Sequence, residues 1–282
     1  MKSELVLPTE PELLEAIHGL CPLWQADEIS DFEFLSGGYS NLNFKFSRLS
    51  FTGQSQHVLR IAGAAQPFVD RALEHQWYKS LPNGLWVKPD THSIVSGAMI
   101  TPWVQGTLLV EYFQSNSDPQ QLIHFVRNLH AQLPTAPRCY DLPERLEQYG
   151  AAQSEIAKLG PIEQTQTCHN DLNPWNIIIS EHGWVTLDWE FVARNDPLFD
   201  LLAIGLGLEL EHLVVADMAW TYLGHRDPER LYNLIQGFYL REWSWAIYQI
   251  RAGNDRDEVV EQADSARKML DKLASQGPSL LV

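Results

Sequence analysis

CHNDLNPWNIIISEHGWVTLDWEFVARNDPLFDL, residues 168–201, is the stretch whose reading decides the fold. His169, Asn170 and Asp171 are followed by Asn176, by the apolar run Ile177, Ile178 and Ile179, and by a turn at His182 and Gly183. A second apolar run, Trp184 to Leu187, then leads into Asp188, Trp189 and Glu190. The order predicts a loop, two short strands and a carboxylate at the exit of the second. Phosphoryl transfer from ATP asks little covalent help of a protein. It needs a carboxylate to orient a hydroxyl and take its proton, and oxygen ligands to hold magnesium against the phosphates. The spacing H-x-D-x-x-x-x-N, with an aspartate after the next strand, supplies those groups: Asp171 as base, Asn176 and Asp188 as metal ligands. ATP and Mg2+ are the cofactors this implies.

Taken singly, each of these residues has a plainer reading, Asp171 as a turn residue above all. Together with Asp188 and Asp196-Pro197 further on, the chemical reading is the better one, because context confirms a motif. Cys168 and His169 point to opposite faces of an extended segment and make a poor Cys-His dyad, so His169 is structural. Asp200 is expected as a buried brace for the loop, accepting backbone N–H bonds.

HNDLNPWN, LDWE and DPLFDL together resemble the aminoglycoside phosphotransferase and choline kinase superfamily, and DWE resembles its choline, ethanolamine and thiamine kinase members. The resemblance implies an α+β, bilobal, protein-kinase-like fold: a small β-rich N-terminal lobe over 1–101, a hinge at 102–106, and a larger helical lobe over 107–282 carrying the catalytic and acceptor-binding residues. It implies an ATP-dependent small-molecule kinase.

Length, charge and cysteines set the bounds. At 282 residues, 45% hydrophobic and 20% charged, the chain is an ordinary globular protein with room for two sizeable cores. No apolar run is long enough for a membrane span, and the N-terminal residues carry no secretory pattern. A formal charge of −16 leaves no basic patch for nucleic acid or an acidic membrane and is compatible with a cationic substrate. Cysteines at 21, 139 and 168, without metal or disulfide spacing, suggest a reducing cytoplasm.

Ahead of the central stretch, ELLEAIHGLCPLW reads as an amphipathic helix ending near Gly19. Residues 32–51 read as a hairpin turning at Ser36-Gly37-Gly38, with Asn41 and Asn43 on the returning strand. Glycine-freed N–H groups can approach phosphates closely. The hairpin resembles the nucleotide loop of small-molecule kinases, which implies nucleotide contacts at Ser36, Gly37, Gly38, Ser40 and Asn41. Gln56 to Ala62 is a third strand bearing Arg60 where kinases usually carry lysine; relatives of choline kinase show arginine there. Its fork can hold two phosphate oxygens, and Glu74, in the helical run 69–81, is the candidate partner. Two strands are expected within 85–100. Residues 100–106 resemble the family's hinge, where the Pro102 carbonyl and the Val104 N–H would meet adenine. Helices are expected over 118–133, 143–159, 199–223, 227–252 and 258–273. His124 and His130, with no ligand spacing around them, read as surface or packing residues.

The interval from Asp188 to Asp200 is too short for the activation segment with which protein kinases grip a peptide. Asn170 also replaces the arginine that such loops pair with a phosphorylated segment. A small acceptor follows. Glu190, Trp243 and Trp245 are its candidate contacts, since ring faces and a carboxylate hold a cation. WSWAIYQ resembles the tryptophan helix of choline kinases, with Glu242 where a second tryptophan is expected, and thiamine kinases show a similar helix. Two tryptophans on a late helix also read as core. The acceptor is therefore expected to be a small cationic alcohol, namely choline, ethanolamine or thiamine. An aminoglycoside is the alternative within this class, and a nucleotide-binding pseudoenzyme the alternative outside it.

Overall fold

A computed structural model of the protein describes residues 6–36, 41–63 and 69–281. In chain order the first elements are α1 (Glu10–Leu20), β1 (Ile29–Leu35), β2 (Asn41–Ser50), β3 (Gly53–Ala62), α2 (Arg71–Ser80), β4 (Thr91–His92), β5 (Met99–Pro102) and β6 (Thr107–Leu108). Next come α3 (Leu109–Ser115), α4 (Pro119–Gln132), α5 (Leu142–Gln148), α6 (Gln153–Ile156) and β7 (Gln166–Cys168). Then follow β8 (Ile177–Ser180), β9 (Gly183–Thr186), β10 (Ala193–Asn195), α7 (Leu198–Gly207), α8 (His212–Leu223), α9 (Pro228–Arg251) and α10 (Asp257–Gln276).

The chain divides into two compact units. One comprises Leu5–Leu109 with Trp175–Glu190, the other Val110–Pro174 with Phe191–Val282. The chain leaves the first unit three residues beyond the expected hinge segment, and the β8–β9 hairpin belongs to that first unit.

The first unit is built on an antiparallel sheet in the order β1-β2-β3-β5-β4. The β2–β3 register runs unbroken from Asn41↔Ala62 to Ser50↔Gly53, which places Arg60 opposite Asn43. α1 starts where the Glu12 carboxylate accepts the Thr9 N–H at 2.7 Å. Its Leu13 and Ile17 sit on Phe44, Phe46, Leu59 and Ile100. Burial of each such side chain contributes about 1.5–3 kcal/mol. α2 begins at Asp70, whose carboxylate accepts the Leu73 N–H at 3.0 Å. The β8–β9 hairpin pairs Ile177 with Thr186, and β6 pairs with β8 on its other side.

The second unit is helical. Asp118 caps α4, accepting the Gln120 N–H at 3.0 Å, and Pro119 occupies the first turn. α4 buries Leu122, Ile123, Val126 and Leu129, and α7 is buried along nearly its whole length. Two expected helices are each broken in two. The run 143–159 divides into α5 and α6 around Gly150, whose φ of +79° ends the first piece. The run 199–223 divides into α7 and α8 at a turn in which Glu209 takes φ +56°. β7 and β10 form a two-stranded sheet that pairs Cys168 with Ala193. Among the described residues no helix is long and apolar enough to cross a membrane.

Candidate active site

In the first unit the site is organised by the way Trp189 is buried. Its ring is fully enclosed, with centroids 6.1 Å from both Trp77 and Trp86, and the backbone N–H of Trp189 donates to the Tyr78 hydroxyl at 3.3 Å. The wedge fixes the carboxylates on either side. Asp188 takes φ +55°, a left-handed conformation uncommon for a residue with a side chain. Arg60 Nη1 donates to Asp188 Oδ1 at 3.0 Å, and Asn41 Nδ2 approaches Oδ2 at 3.4 Å. Arg60 Nη2 donates to the Gly97 carbonyl at 3.0 Å and lies 2.8 Å from Glu74 Oε1, so the expected Arg60–Glu74 pair is formed. Gly97 is required here. It has φ +70°, and a Cβ would stand 2.6 Å from Arg71 Nε.

Arg71 was missing from the sequence reading. Its Nη1 reaches Glu74 at 2.9 Å and Glu190 at 2.8 Å. Glu190, expected at the acceptor, sits instead in this buried ion cluster with 3% of its surface exposed. Burial, and then the Asp188 carboxylate, push the Glu190 carboxyl above the ordinary range, against the pull of Arg60 and Arg71. The Arg60 guanidinium is raised: burial opposes its charge, but the carboxylates of Asp188 and Glu74 outweigh burial. His92, 3.5 Å from Glu74, is pushed down to about 3 by burial and the nearby guanidiniums, and it adds no third positive charge.

Asn176 meets Asp188 through the hairpin. The Leu187 N–H donates to the Asn176 carbonyl at 2.9 Å, extending the β8–β9 ladder by one step, so amide and carboxylate leave the same end of the ribbon. Oxygen donors alone suit a hard divalent cation. The Asp188 side chain keeps 28% of its surface open, and Asn41 Oδ1 beside it is buried without a hydrogen-bond partner. This donor set fits magnesium.

In the second unit the loop carrying Asp171 is clamped from several sides. Asp200, fully buried, accepts the N–H of His169 and of Asn170, both at 2.8 Å, and faces His130 Nε2 at 2.9 Å. The expected brace is present, and His130, read from sequence as surface or packing, belongs to it. Asn170 has φ +66°. Its amide donates to the carbonyls of Cys168, Phe191 and Ala193, and its Oδ1 accepts from Asn195. His169, Asn170 and Leu172 are fully enclosed, whereas the Asp171 side chain is 31% exposed. The loop is thus a rigid mount for one open carboxylate. Arg241, also missed, donates to the Asn170 carbonyl and places Nη2 3.6 Å from Asp171 Oδ1.

The remaining expected residues are spread out. Ser36 is exposed beyond the end of β1, and Gly37, Gly38 and Ser40 lie outside the described residues. Pro102 ends β5 opposite His57, and Val104 follows half-buried, with Lys45 Nζ 4.5 Å from the ring of Trp103 between them. Trp243 and Trp245 are half-buried on α9 against Ala246, Val259 and Ala263, and the Arg267 guanidinium stands over Trp243 at 5.4 Å. Packing gives both rings an occupation that needs no ligand.

The brace has a pH signature. Burial alone would raise the Asp200 carboxyl; the His130 ring and the loop amides overcome it and hold the group below its ordinary value. A depressed carboxyl stabilises the fold above the unfolded value of about 3.9, and the contribution is lost as pH falls through the folded value. Wild type is therefore expected to lose stability to denaturant more steeply below about pH 4 than Asp200→Asn, which starts lower at neutral pH. Parallel curves would remove the brace from the acid response.

Comparison with known proteins follows the same lines. Protein LicA of Haemophilus influenzae is 24% identical over 277 residues, spanning 84% of this chain and 79% of LicA. The structure of choline kinase LicA from Streptococcus pneumoniae superposes with a TM-score of 0.70 at 19% identity, over 93% of this chain and 98% of that one. A structure of LicA in complex with AMP gives 0.71 at 21% identity, over 93% and 98%. Other structural neighbours include a choline/ethanolamine kinase family protein and an aminoglycoside phosphotransferase, so the sheet-rich and helical units form a kinase-like α+β fold. Residues 31–246, from the edge strand β1 into the last third of α9, match the phosphotransferase enzyme family, and with Asp171, Asn176 and Asp188 all inside that span, the chain belongs to it.

Proposed function

We propose that this phosphotransferase moves the γ-phosphoryl group of Mg-ATP to the hydroxyl of a small cationic alcohol, with choline and ethanolamine ahead of thiamine. The observation that carries the reading is the single open carboxylate of Asp171 on a loop whose neighbours are enclosed. A base that orients a hydroxyl must be fixed by its surroundings and still reachable. In this reading Asp171 accepts the hydroxyl proton as the oxygen attacks. Asn176 and Asp188 hold magnesium, which when bound neutralises phosphate charge. Arg60, its terminal nitrogens engaged by Asp188, Gly97 and Glu74, chiefly keeps the Asp188 carboxylate in place. Asn41 and the loop from Ser36 to Ser40 serve the nucleotide, with Pro102 and Val104 at the base. The acidic balance of −16 favours a cationic acceptor, and the similarity to a choline kinase favours choline among such acceptors.

A coupled assay of ADP release with choline, ethanolamine, thiamine and an aminoglycoside set tests this. Turnover is expected to rise at least tenfold above the water background with one of the three cationic alcohols, the span of a modest transition-state contact. A response confined to aminoglycosides would replace the acceptor assignment and leave the transfer chemistry standing.

A further inference from the structure

The backbone of Asn170, the residue before Asp171, is held on both sides by charge. Asp200 takes the N–H side of Asn170, and Arg241 of α9 takes its carbonyl. The same guanidinium turns Nη2 toward Asp171 Oδ1 at 3.6 Å, and its Nε and Nη2 donate to Glu242 at 3.0 and 2.7 Å. Phe199 and Phe238 enclose it, each ring centroid 5.1 Å from Cζ, and Arg241 is 7% exposed. Glu242 is tied in turn to α10, where Gln262 Nε2 donates to Oε2 at 2.6 Å.

A buried guanidinium is a poor device for packing helices. Apolar side chains of similar volume do that as well or better, because the desolvation of the charge offsets its attraction to a partner. Neutralisation by Glu242 alone would also leave no reason for the third nitrogen to reach the loop. What an arginine supplies that a leucine cannot is a rigid fork: one prong fixes a carbonyl while another faces a carboxylate. The loop has no arginine of its own before the aspartate, since Asn170 stands there and spends its side chain on backbone carbonyls.

We infer that Arg241 is a positioning residue for transfer, fixing the Asn170–Asp171 peptide and holding the Asp171 carboxylate in the orientation that receives the acceptor hydroxyl. It does this from α9, the helix that also carries Trp243 and Trp245, so side chains next to the tryptophan face set the aim of the base. The inference rests on Asp171 being the base.

The test compares wild type, Asp171→Asn, Arg241→Met and Arg241→Lys in ADP release with Mg-ATP and the fastest of choline, ethanolamine and thiamine. Arg241→Met is expected to lower kcat by roughly 10- to 100-fold, the scale of a misaimed group, with the KM for ATP within about twofold. Free guanidinium ion should restore part of the loss. Arg241→Lys, which keeps one charge but has no fork, should lose about tenfold in kcat and gain nothing from guanidinium. This variant carries the test if Arg241→Met does not fold. In the Asp171→Asn background Arg241→Met should cost less than about threefold further, because the two act through one group. Unchanged kcat in Arg241→Lys, or an equal loss from Arg241→Met in both backgrounds, would overturn the inference while leaving Asp171 as base. Full turnover by Asp171→Asn would instead overturn the assigned base.

Discussion

Asp171→Asn is expected to cut turnover by roughly 100- to 10,000-fold, the usual worth of a positioned general base, while Mg-ATP still binds. The substitution is nearly isosteric, and the loop would keep its mount, because the clamps act on neighbouring groups: Asp200 on the amides of His169 and Asn170, Arg241 on the Asn170 carbonyl. The side chain is 31% exposed, and Arg241 keeps the closer carboxylate of Glu242 at 2.7 Å, so the melting temperature should stay within about 2 °C. The split is diagnostic. Isothermal titration with Mg-AMP-PNP should give wild-type affinity where ADP release has collapsed. Loss of binding together with turnover would mean that Asp171 serves the nucleotide and not the acceptor.

The second large effect is on stability. Arg60→Met removes a buried cation that faces Asp188 at 3.0 Å, Glu74 at 2.8 Å and Glu190 at 3.9 Å. Arg71 alone would then answer three carboxylates, two of them enclosed. Breaking a buried pair by deleting one partner costs about 3–5 kcal/mol, which for a chain of this size lowers Tm by roughly 6–20 °C. Adding Glu74→Gln to Arg60→Met should return part of that loss, since it removes one of the carboxylates left without a partner. Calorimetry of the two variants checks both statements. A Tm within 2 °C of wild type for Arg60→Met would mean that the cluster is solvated and that Asp188 is held by something else.

What was legible from sequence was what lies close along the chain. The β8–β9 hairpin, with Asn176 entering it and Asp188 leaving it, is encoded by two apolar runs around His182-Gly183. Its backbone pairing forces the amide and carboxylate to the same end. Asp200 was readable as a brace because a buried carboxylate near a loop finds N–H donors. The hairpin β1–β2 and the Arg60–Glu74 pair followed from strand alternation and from a resemblance.

The residues that were missed act across long stretches of chain. Arg71 meets Glu190 across 119 positions, and the Gly97 carbonyl meets Arg60 across 37, pairings that no local pattern specifies. Arg241 lies 71 positions from the carbonyl it holds, and its only sequence signal is negative: the loop has asparagine before its aspartate. Glu190 and the α9 tryptophans were expected at an acceptor from residue type and, for the tryptophans, from a resemblance; burial places Glu190 among arginines. Two helices were drawn too long for different reasons. Gly150 is a readable stop that was passed over, whereas the α7–α8 turn rests on Glu209 at positive φ, a residue type that announces no turn.

The central claim is transfer to an alcohol by Asp171, and phosphorus NMR of the reaction mixture reads it directly. With wild type, Mg-ATP and choline, ethanolamine or thiamine, the account predicts a phosphate ester resonance that grows in step with ADP for one of the three and is absent with Asp171→Asn. ADP accompanied only by inorganic phosphate for every alcohol, or ester formed at the wild-type rate by Asp171→Asn, would contradict it.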